Sequence, residues 1–576
     1  MKKVTLFLLL SFFVFLLVPG SILASENFKT SVKVDYKIQE GGATQVTNTF
    51  SIKNLTSYFF SKDFIFKLEN VEPKNIKAYE KGEQLAVTET KTGNILNIFL
   101  HLGGEVAGFG RTRVFVITYE DETIAKKNGE VWEISLPALS DNNPFDSYNV
   151  TLSVPKSFGE NAYISPEPDK DYASSDRLTY SFNNLKEGVS AGFGKSQTFS
   201  FNLTYHLEND DRKAKDFQVA IPPDTSLQRM IYESIDPLAS KIDVDNDGNW
   251  LAYYKLKPKS KIDVKVKGSV LVFSAPRALY EPSEENLKAN TKSLKYWESD
   301  DPDIIKLGEK LKTPEAIYNF VRSELSYNFN KVKGGAERLG AKAALNSPTD
   351  ALCMEFTDLF IAIARAAKIP AREINGFAYT DNPRIQPLSV TSKVLHSWPE
   401  YWDGEKKMWI PIDPTWGSTG KTDYFSKLDL RHFAFVIHGE DSVKPDTPGS
   451  YNPQKDVFVS FGTLPENTGD KLKIEAEFAS KTNLFNDDFF ITLKNDGGEA
   501  LYNINTRISV DGKAKDEIVP ILPPFSKKII VLAIPYNILS FNTPKNIIVK
   551  SGIHEINVDP RRTLALIYLL LLFSLL

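Results

Sequence analysis

Two hydrophobic periods alternate along the chain. From Asn27 to about Ser157 the period is two: Val32, Val34, Tyr36 and Ile38 alternate with Ser31, Lys33, Asp35 and Lys37. Gly41-Gly42 turns the chain, Val46, Phe50 and Ile52 resume the pattern, and Val114, Val116 and Thr118 follow later. Apolar residues at every second position line one face of a pleated strand, so residues 25–157 are expected to form an all-β domain. A second β-rich unit over 158–275 repeats the pattern, with Phe199, Phe201, Leu203, Tyr205 and Leu207 in one strand and Ile262, Val264 and Val266 in another. Arg277 to Asp301 is polar, carries charges of both signs and reads as a linker.

The period then lengthens. Thr313-Pro314-Glu315 opens a helix carrying Ile317, Phe320, Val321 and Leu325, because Thr caps and Pro fits the first turn. In TDALCMEFTDLFIAIARAAKIPAR, Phe356, Leu359, Phe360, Ile363 and Ala367 fall on one helical face and Pro370 ends the run. Thr349 and Asp350 offer N-cap oxygens, and Glu355 and Asp358 sit in the first turns, where carboxylates suit the dipole. VLHSWPEYW and MWIPIDPTWG then read as two strands joined by the turn Asp403-Gly404-Glu405-Lys406. Past Asp441, Pro445, Pro448, Gly449 and Pro453 mark a loop-rich stretch. Alternation returns at Leu472, Ile474, Ala476 and Phe478, runs through ALYNINTRISV, and reaches Ile534, giving 455–558 the strand spacing of an immunoglobulin-like sandwich. The expected architecture is a multidomain chain whose α+β unit, 285–445, is flanked by all-β sandwich domains.

The ends differ from the middle. Lys2-Lys3, the apolar run Val4 to Val18 and the small residues up to Ser25 are the three zones of a secretory signal, so residues 1–24 are expected to be cleaved after Ala24. At the other end, 559–576, Thr563 to Leu576 is apolar behind Arg561-Arg562. As a helix it would reach about 21 Å against a hydrocarbon core of about 30 Å, and it reads as a membrane anchor. The protein is therefore expected to be exported, to lie at the cell surface or outside it, and to meet the membrane through its termini.

Composition narrows the chemistry. With 576 residues, 42% hydrophobic and 25% charged, the chain can bury several cores. A net charge of -4 without a long basic run argues against nucleic acid as a partner. A single cysteine excludes an intrachain disulfide and any multi-cysteine zinc site. His101, His206, His432, His438 and His554 show no metal-ligand spacing, so no metal and no cofactor is expected, and His432 and His438 in RHFAFVIHG read as structural. Asp243-Val244-Asp245-Asn246-Asp247-Gly248 copies half of an EF-hand loop, but Tyr254 stands where the bidentate Glu belongs, so a β-turn is the better reading.

What remains is thiol chemistry. Cys353 lies at or near a helix start, a position that lowers a thiol pKa from its free value of about 8.5. A hairpin loop centred between Gly404 and Glu405 would set His396 opposite Asp413, with Cβ atoms roughly 5 Å apart. Asp413 would then fix the imidazole tautomer and leave the other ring nitrogen for the sulfur. The backbone N–H of Cys353 is a candidate oxyanion donor. Four of the seven tryptophans, Trp398, Trp402, Trp409 and Trp416, surround these residues. At least two should be core, while Trp398 and Trp416 are candidates to wall a substrate groove, with Glu400 and Tyr401 beside them.

The run from Cys353 to Arg372, then Gly376, His396-Ser397-Trp398, Trp409 and Asp413-Pro414-Thr415, resembles the transglutaminase-like superfamily of papain-type thiol enzymes, in the exported form found in bacteria and archaea. The likeness runs from near Pro302 to Gly439. By motif, Cys353 is similar to the family's nucleophile, His396 to its base and Asp413 to its orienting acid, while Ala371-Arg372 and Gly376 match a structural turn. Two positions depart: Ala351 stands where glycine is common, and Met354 stands where animal transglutaminases have Trp. The resemblance implies acyl transfer on protein or peptide amides by a Cys-His-Asp triad, as a protease or amidase or as a transamidase. The rival reading is a non-catalytic surface scaffold or adhesin that keeps the fold. Arylamine acetyltransferases share the chemistry, but their Arg-Gly-Gly before the cysteine is replaced here by Pro348-Thr349-Asp350-Ala351. Oligomeric state is left open by these patterns.

Overall fold

A computed structural model describes residues 27–57, 62–558 and 572–574, apart from 70, 94, 104–107, 140–144, 278, 280, 334–336, 382, 384–385, 389–394, 450–452, 466–470, 479–485 and 536–545. The signal segment 1–24 lies outside the described residues, as does the tail 559–576 but for 572–574. Among the described residues no helix is long and apolar enough to cross a membrane.

The chain divides into two compact units. In the first, Phe28–Ile38 pairs antiparallel with Thr44–Asn54 at the centre of an eight-stranded sheet, and the expected alternation buries Val32, Val34, Tyr36 and Ile38. Thr112–Asp121 inverts the expected face. Phe115, Ile117 and Tyr119 point inward, while Val114 is 48% exposed. Both faces of that strand are apolar enough to satisfy a period of two, so the pattern could not choose between them; pairing of Phe115 with Phe50 does, because it stacks their rings at 5.2 Å. The sheet also continues past Ser157 through Arg177–Phe182, which pairs with Ser147–Pro155.

Among its described residues the second unit holds four hydrophobic clusters, three of them large. Ser196–Asn209 and Ser260–Phe273 pair over their full lengths, Gln228–Asp236 flanks them, and a facing three-stranded sheet closes the core around Trp250. Val457–Phe461, assigned by sequence to the last domain, instead adds to the edge of Ser196–Asn209. The C-terminal residues form a three-stranded and a four-stranded sheet packed over Phe489, Ile491, Leu493, Ile508, Ile547 and Val549.

The α+β domain supplies helices α1 (Glu284–Ala289), α2 (Pro302–Leu311), α3 (Pro314–Glu324), α4 (Ala341–Asn346), α5 (Cys353–Ala366) and α6 (Pro414–Gly420). Its strands are β1 (Ala371–Ala378), β2 (His396–Asp403), β3 (Met408–Pro411) and β4 (His432–His438), in the antiparallel order β3-β2-β1-β4. Helix α3 begins as its sequence predicts, with the Thr313 hydroxyl accepting from Ala316 N at 3.2 Å and Pro314 in the first turn. Helix α5 packs on β1 and β2 under α2, α3 and α4, so every residue from Cys353 to Arg365 is buried rather than a single stripe.

Burying that helix requires partners for its polar side chains. Asp358 takes the indole N–H of Trp297 at 2.8 Å and the guanidinium of Arg338, which also reaches Glu373 of β1 at 3.0 Å. Arg365 donates to the carbonyls of Ala371, Lys292 and Gly439. The segment read as a linker is therefore part of this domain, because Trp297 is fully buried and Asn286 and Asn290 nearly so. The half EF-hand is a hairpin turn whose acceptors are taken by protein donors: Asp245 binds Asn249, and Asp247 receives the N–H groups of Gly439 and Glu440 just after β4.

Gly376 lies in β1 between β2 and β4, where a Cβ would strike the Phe433 carbonyl oxygen and the Trp398 ring. Gly376→Ala is expected to lower stability by about 2–3 kcal/mol, since backbone on one side and a packed indole on the other cannot yield; urea denaturation of the purified variant measures this.

Candidate active site

Cys353 is the first residue of α5 and is completely buried. The expected caps stand outside the helix: Asp350 accepts from Asn328 at 2.9 Å and pairs with Lys331 at 2.6 Å. The N-cap is Leu352, whose side chain cannot accept, so Glu355 reaches back instead and takes the N–H of Leu352 at 2.8 Å and of Leu339 at 2.9 Å. The Glu355 N–H in turn donates to the Leu352 carbonyl at 3.1 Å, and the two bonds together fix the turn that carries the sulfur.

His396 opens β2, and the hairpin register differs from the expected one. Asp403 pairs with Met408 and Glu400 with Pro411, leaving the loop Gly404–Lys407 with Lys407 at φ 52°. The shift is two residues, which keeps every side chain on its predicted face. It also ends the pairing at Pro411, so Asp413 reaches His396 by another route: it leaves the strand and becomes the N-cap of α6. Its Oδ1 accepts the N–H of Thr415 at 2.9 Å and of Trp416 at 3.0 Å. Its Oδ2 faces Nε2 of His396 at 2.9 Å and Nε2 of His432 at 3.3 Å.

A carboxylate can only accept, so both imidazoles must donate to it. His396 is then protonated at Nε2, and its Nδ1 has no hydrogen-bond partner. Burial pushes the His396 pKa below its ordinary value against the pull of Asp413, which favours the neutral ring that can take a proton. Burial would raise the Asp413 pKa, yet His396 and His432 together hold it well below the usual carboxylate range. His432 also binds Asp429 through Nδ1 at 2.7 Å, and its pKa, which burial would lower, is pushed up to about 9 by Asp429 and Asp413.

Two indoles enclose the pair of rings. Trp416 stacks on His396 at 5.1 Å and lies 4.7 Å from His432, and Trp398 lies 5.7 Å and 4.9 Å from the same two rings. Both are buried, at 0% and 2% exposure, so these candidate groove residues wall the imidazoles. Glu400 instead binds Arg372 at 2.8 Å, and Tyr401 stacks on Phe425. Trp409 lies under the Arg372 guanidinium at 4.1 Å and makes an edge contact with Trp402.

Sequence reasoning missed Tyr327, Asp429 and the role of His432. The Tyr327 hydroxyl is buried without a hydrogen-bond partner, and the residue bridges Ala351, two positions before Cys353; burial raises its pKa, and the charges of Cys353, Glu355 and Asp413 raise it further. Asp429 and His432 stand three apart before a strand, a spacing that means nothing until β4 is known to pair with β1. The ligand-type atoms of His396, Asp413 and His432 lie within 4.8 Å of one another, close enough in principle for one ion. The contacts that join them have hydrogen-bond lengths, so we assign a hydrogen-bonded chain.

Comparison with known proteins bears on this same segment. Residues 305–414 match the family described as the transglutaminase-like superfamily. That segment is a transglutaminase-like domain. It runs from within α2 to the first residue of α6 and contains Cys353, His396 and Asp413, whereas Asp429 and His432 lie beyond it. Among solved structures, a protein named "putative cysteine protease" from Cytophaga hutchinsonii is 17% identical, with a TM-score of 0.30, and the overlap covers 47% of this chain and 99% of that one. A second, named "putative protease", from Parabacteroides distasonis, is 10% identical with a TM-score of 0.20, covering 88% and 95%. No curated protein matches the chain.

Because the folded Asp413 pKa is depressed, its stabilisation is complete above its unfolded value of about 3.9 and is lost as pH falls. Asp413→Asn is expected to cost about 3 kcal/mol at pH 7, with the deficit narrowing below about pH 4; chemical denaturation of both proteins across pH 3–8 reads the difference.

Proposed function

We propose that the chain is an exported, membrane-held thiol enzyme that transfers acyl groups from protein or peptide amides through Cys353, His396 and Asp413. The observation that carries the reading is the state of His396: Nε2 is committed to Asp413, and Nδ1 remains for a proton, in a strand packed by the helix that begins with the only cysteine. His396 takes the thiol proton at Nδ1, and the thiolate adds to an amide carbonyl carbon. The carbon–nitrogen bond breaks, the amine leaves with the proton from His396, and a thioester remains. Water converts it to an acid, as in a protease or amidase; an amine converts it to a new amide, as in a transamidase. The start of α5 supplies one donor to the developing oxyanion, and we assign the second to the unpartnered Tyr327 hydroxyl. Export and anchoring rest on the composition of residues 1–24 and 559–576.

One observation favours a second reading, a surface scaffold that retains the fold without catalysis: Cys353 and His396 are both fully buried. The two readings separate on reactivity. With one cysteine in the chain, iodoacetamide reports on Cys353 alone, and the enzyme reading expects it to react faster than a free thiol at neutral pH. Reaction no faster than free thiol would favour the scaffold. A screen of peptide acyl donors with a labelled amine present, read by mass, distinguishes hydrolysis from amine incorporation. Turnover is expected to vanish in Cys353→Ala and His396→Ala, and Tyr327→Phe to lower kcat roughly 10²-fold with little change in KM.

A further inference from the structure

The proposed triad leaves one buried ring unused. His432 has a carboxylate oxygen at each ring nitrogen, Asp429 at 2.7 Å from Nδ1 and Asp413 at 3.3 Å from Nε2. Carboxylates donate nothing while ionised, so satisfying both contacts requires a proton on both nitrogens. All three side chains are essentially without solvent contact, and an unpaired charge there would be costly. The groups facing the ring are few. Asp413 comes from the cap of α6, Asp429 from the loop before β4 and His396 from β2. Tyr424 lies 6.4 Å away and gives its hydroxyl to Asp429 at 3.1 Å, while Arg431 turns to Asp381 and Gln386. Trp398 and Trp416 fill the remaining sides.

We propose that His432 is a positioning residue: an imidazolium clamped between Asp429 and Asp413 that keeps Asp413 ionised, aims its Oδ2 at His396, and sets a fixed positive charge behind the reacting pair. The proposal rests on the triad reading above. Its consequence is electrostatic. Two carboxylates near His396 would by themselves make that ring strongly basic and hold its proton; the cation between them offsets one, so His396 can both take and return a proton near neutrality. The same charge favours the Cys353 thiolate.

Strand β4 is held in place for this task by side chains of the middle β-sandwich. The Gln228 amide pairs with both backbone groups of Ala434, at 2.9 Å each, and the Asn249 amide does the same for Ile437, at 2.7 Å each. These two amides occupy the edge of the sheet that no further strand of the described residues covers, and so place His432.

The test uses the full chain and its single cysteine. The pH dependence of Cys353 alkylation is measured for wild type and for His432→Gln, with thermal unfolding run beside it to establish folding. The variant is expected to shift the profile upward by roughly 0.5–1 pH unit, because loss of a nearby cation raises the pKa of both His396 and the thiol. An unshifted profile in a folded variant overturns the proposal. A wild-type cysteine no more reactive than free thiol would instead defeat the triad reading, so the two failures are distinct. A second measurement uses 15N-labelled imidazoles at pH 8, where a ring protonated on both nitrogens is expected for His432 and should disappear in His432→Gln, leaving the signal of the half-buried His206 in place. If that variant does not fold, Asp429→Asn serves in its stead, since it removes the acceptor that requires the second proton; retention of every doubly protonated ring there overturns the proposal.

Discussion

Four hydrogen bonds converge on the carboxylate of Asp413, and the arrangement of the domain depends on that convergence. Two come from the backbone at the start of α6, one from His396 in β2 and one from His432 in β4. One side chain therefore joins a helix to two strands that are not neighbours in the sheet, β1 lying between them. Because α6 is a continuation of the β2–β3 hairpin, its cap and the imidazole contact are set together. Four donors favour the ionised form of the carboxylate, and an ionised acceptor fixes the tautomer of the imidazole that donates to it.

Burial is what makes the arrangement consequential. In a low-dielectric surround the same contacts are stronger than in water, and each unpaired polar atom is more costly. The domain meets this cost with chains of partners: Glu355 closes the turn of the cysteine, and Arg338 bridges Asp358 of α5 and Glu373 of β1. Glu373 in turn accepts from Ser397, next to His396, at 2.8 Å. The helix with the sulfur and the strand with the imidazole are thus tied by a second set of bonds away from the site. Among the described residues, the buried atoms left without partners include Tyr327 Oη and His396 Nδ1.

Local patterns carried the elements well where one face was clearly more apolar, as in Val32 to Ile38 or Phe199 to Leu207, and where a cap was unambiguous, as at Thr313. They failed where both faces were apolar, as in Thr112–Asp121, and where long-range burial claimed a polar stretch, as with Trp297. The hairpin shows a subtler limit. Period two fixes which face a residue takes but not its partner, so the hairpin was expected to set His396 opposite Asp413, whereas the pairing ends at Pro411 and Asp413 meets the imidazole from a helix cap.

The sequence by itself determined the chemistry available: one thiol at a helix start, and a His and an Asp that follow it in the order a thiol enzyme uses. Those signals are local, being caps, periods and motif order, and local physics is written in short stretches of chain. Only the tertiary structure decided the company these residues keep. It enlisted Asp429 and His432, buried the Tyr327 hydroxyl without a partner, and turned Trp398 and Trp416 into walls of an imidazole pair. Contacts of that kind arise from packing between segments far apart in sequence, where charge balance and burial are settled by what the whole fold brings together.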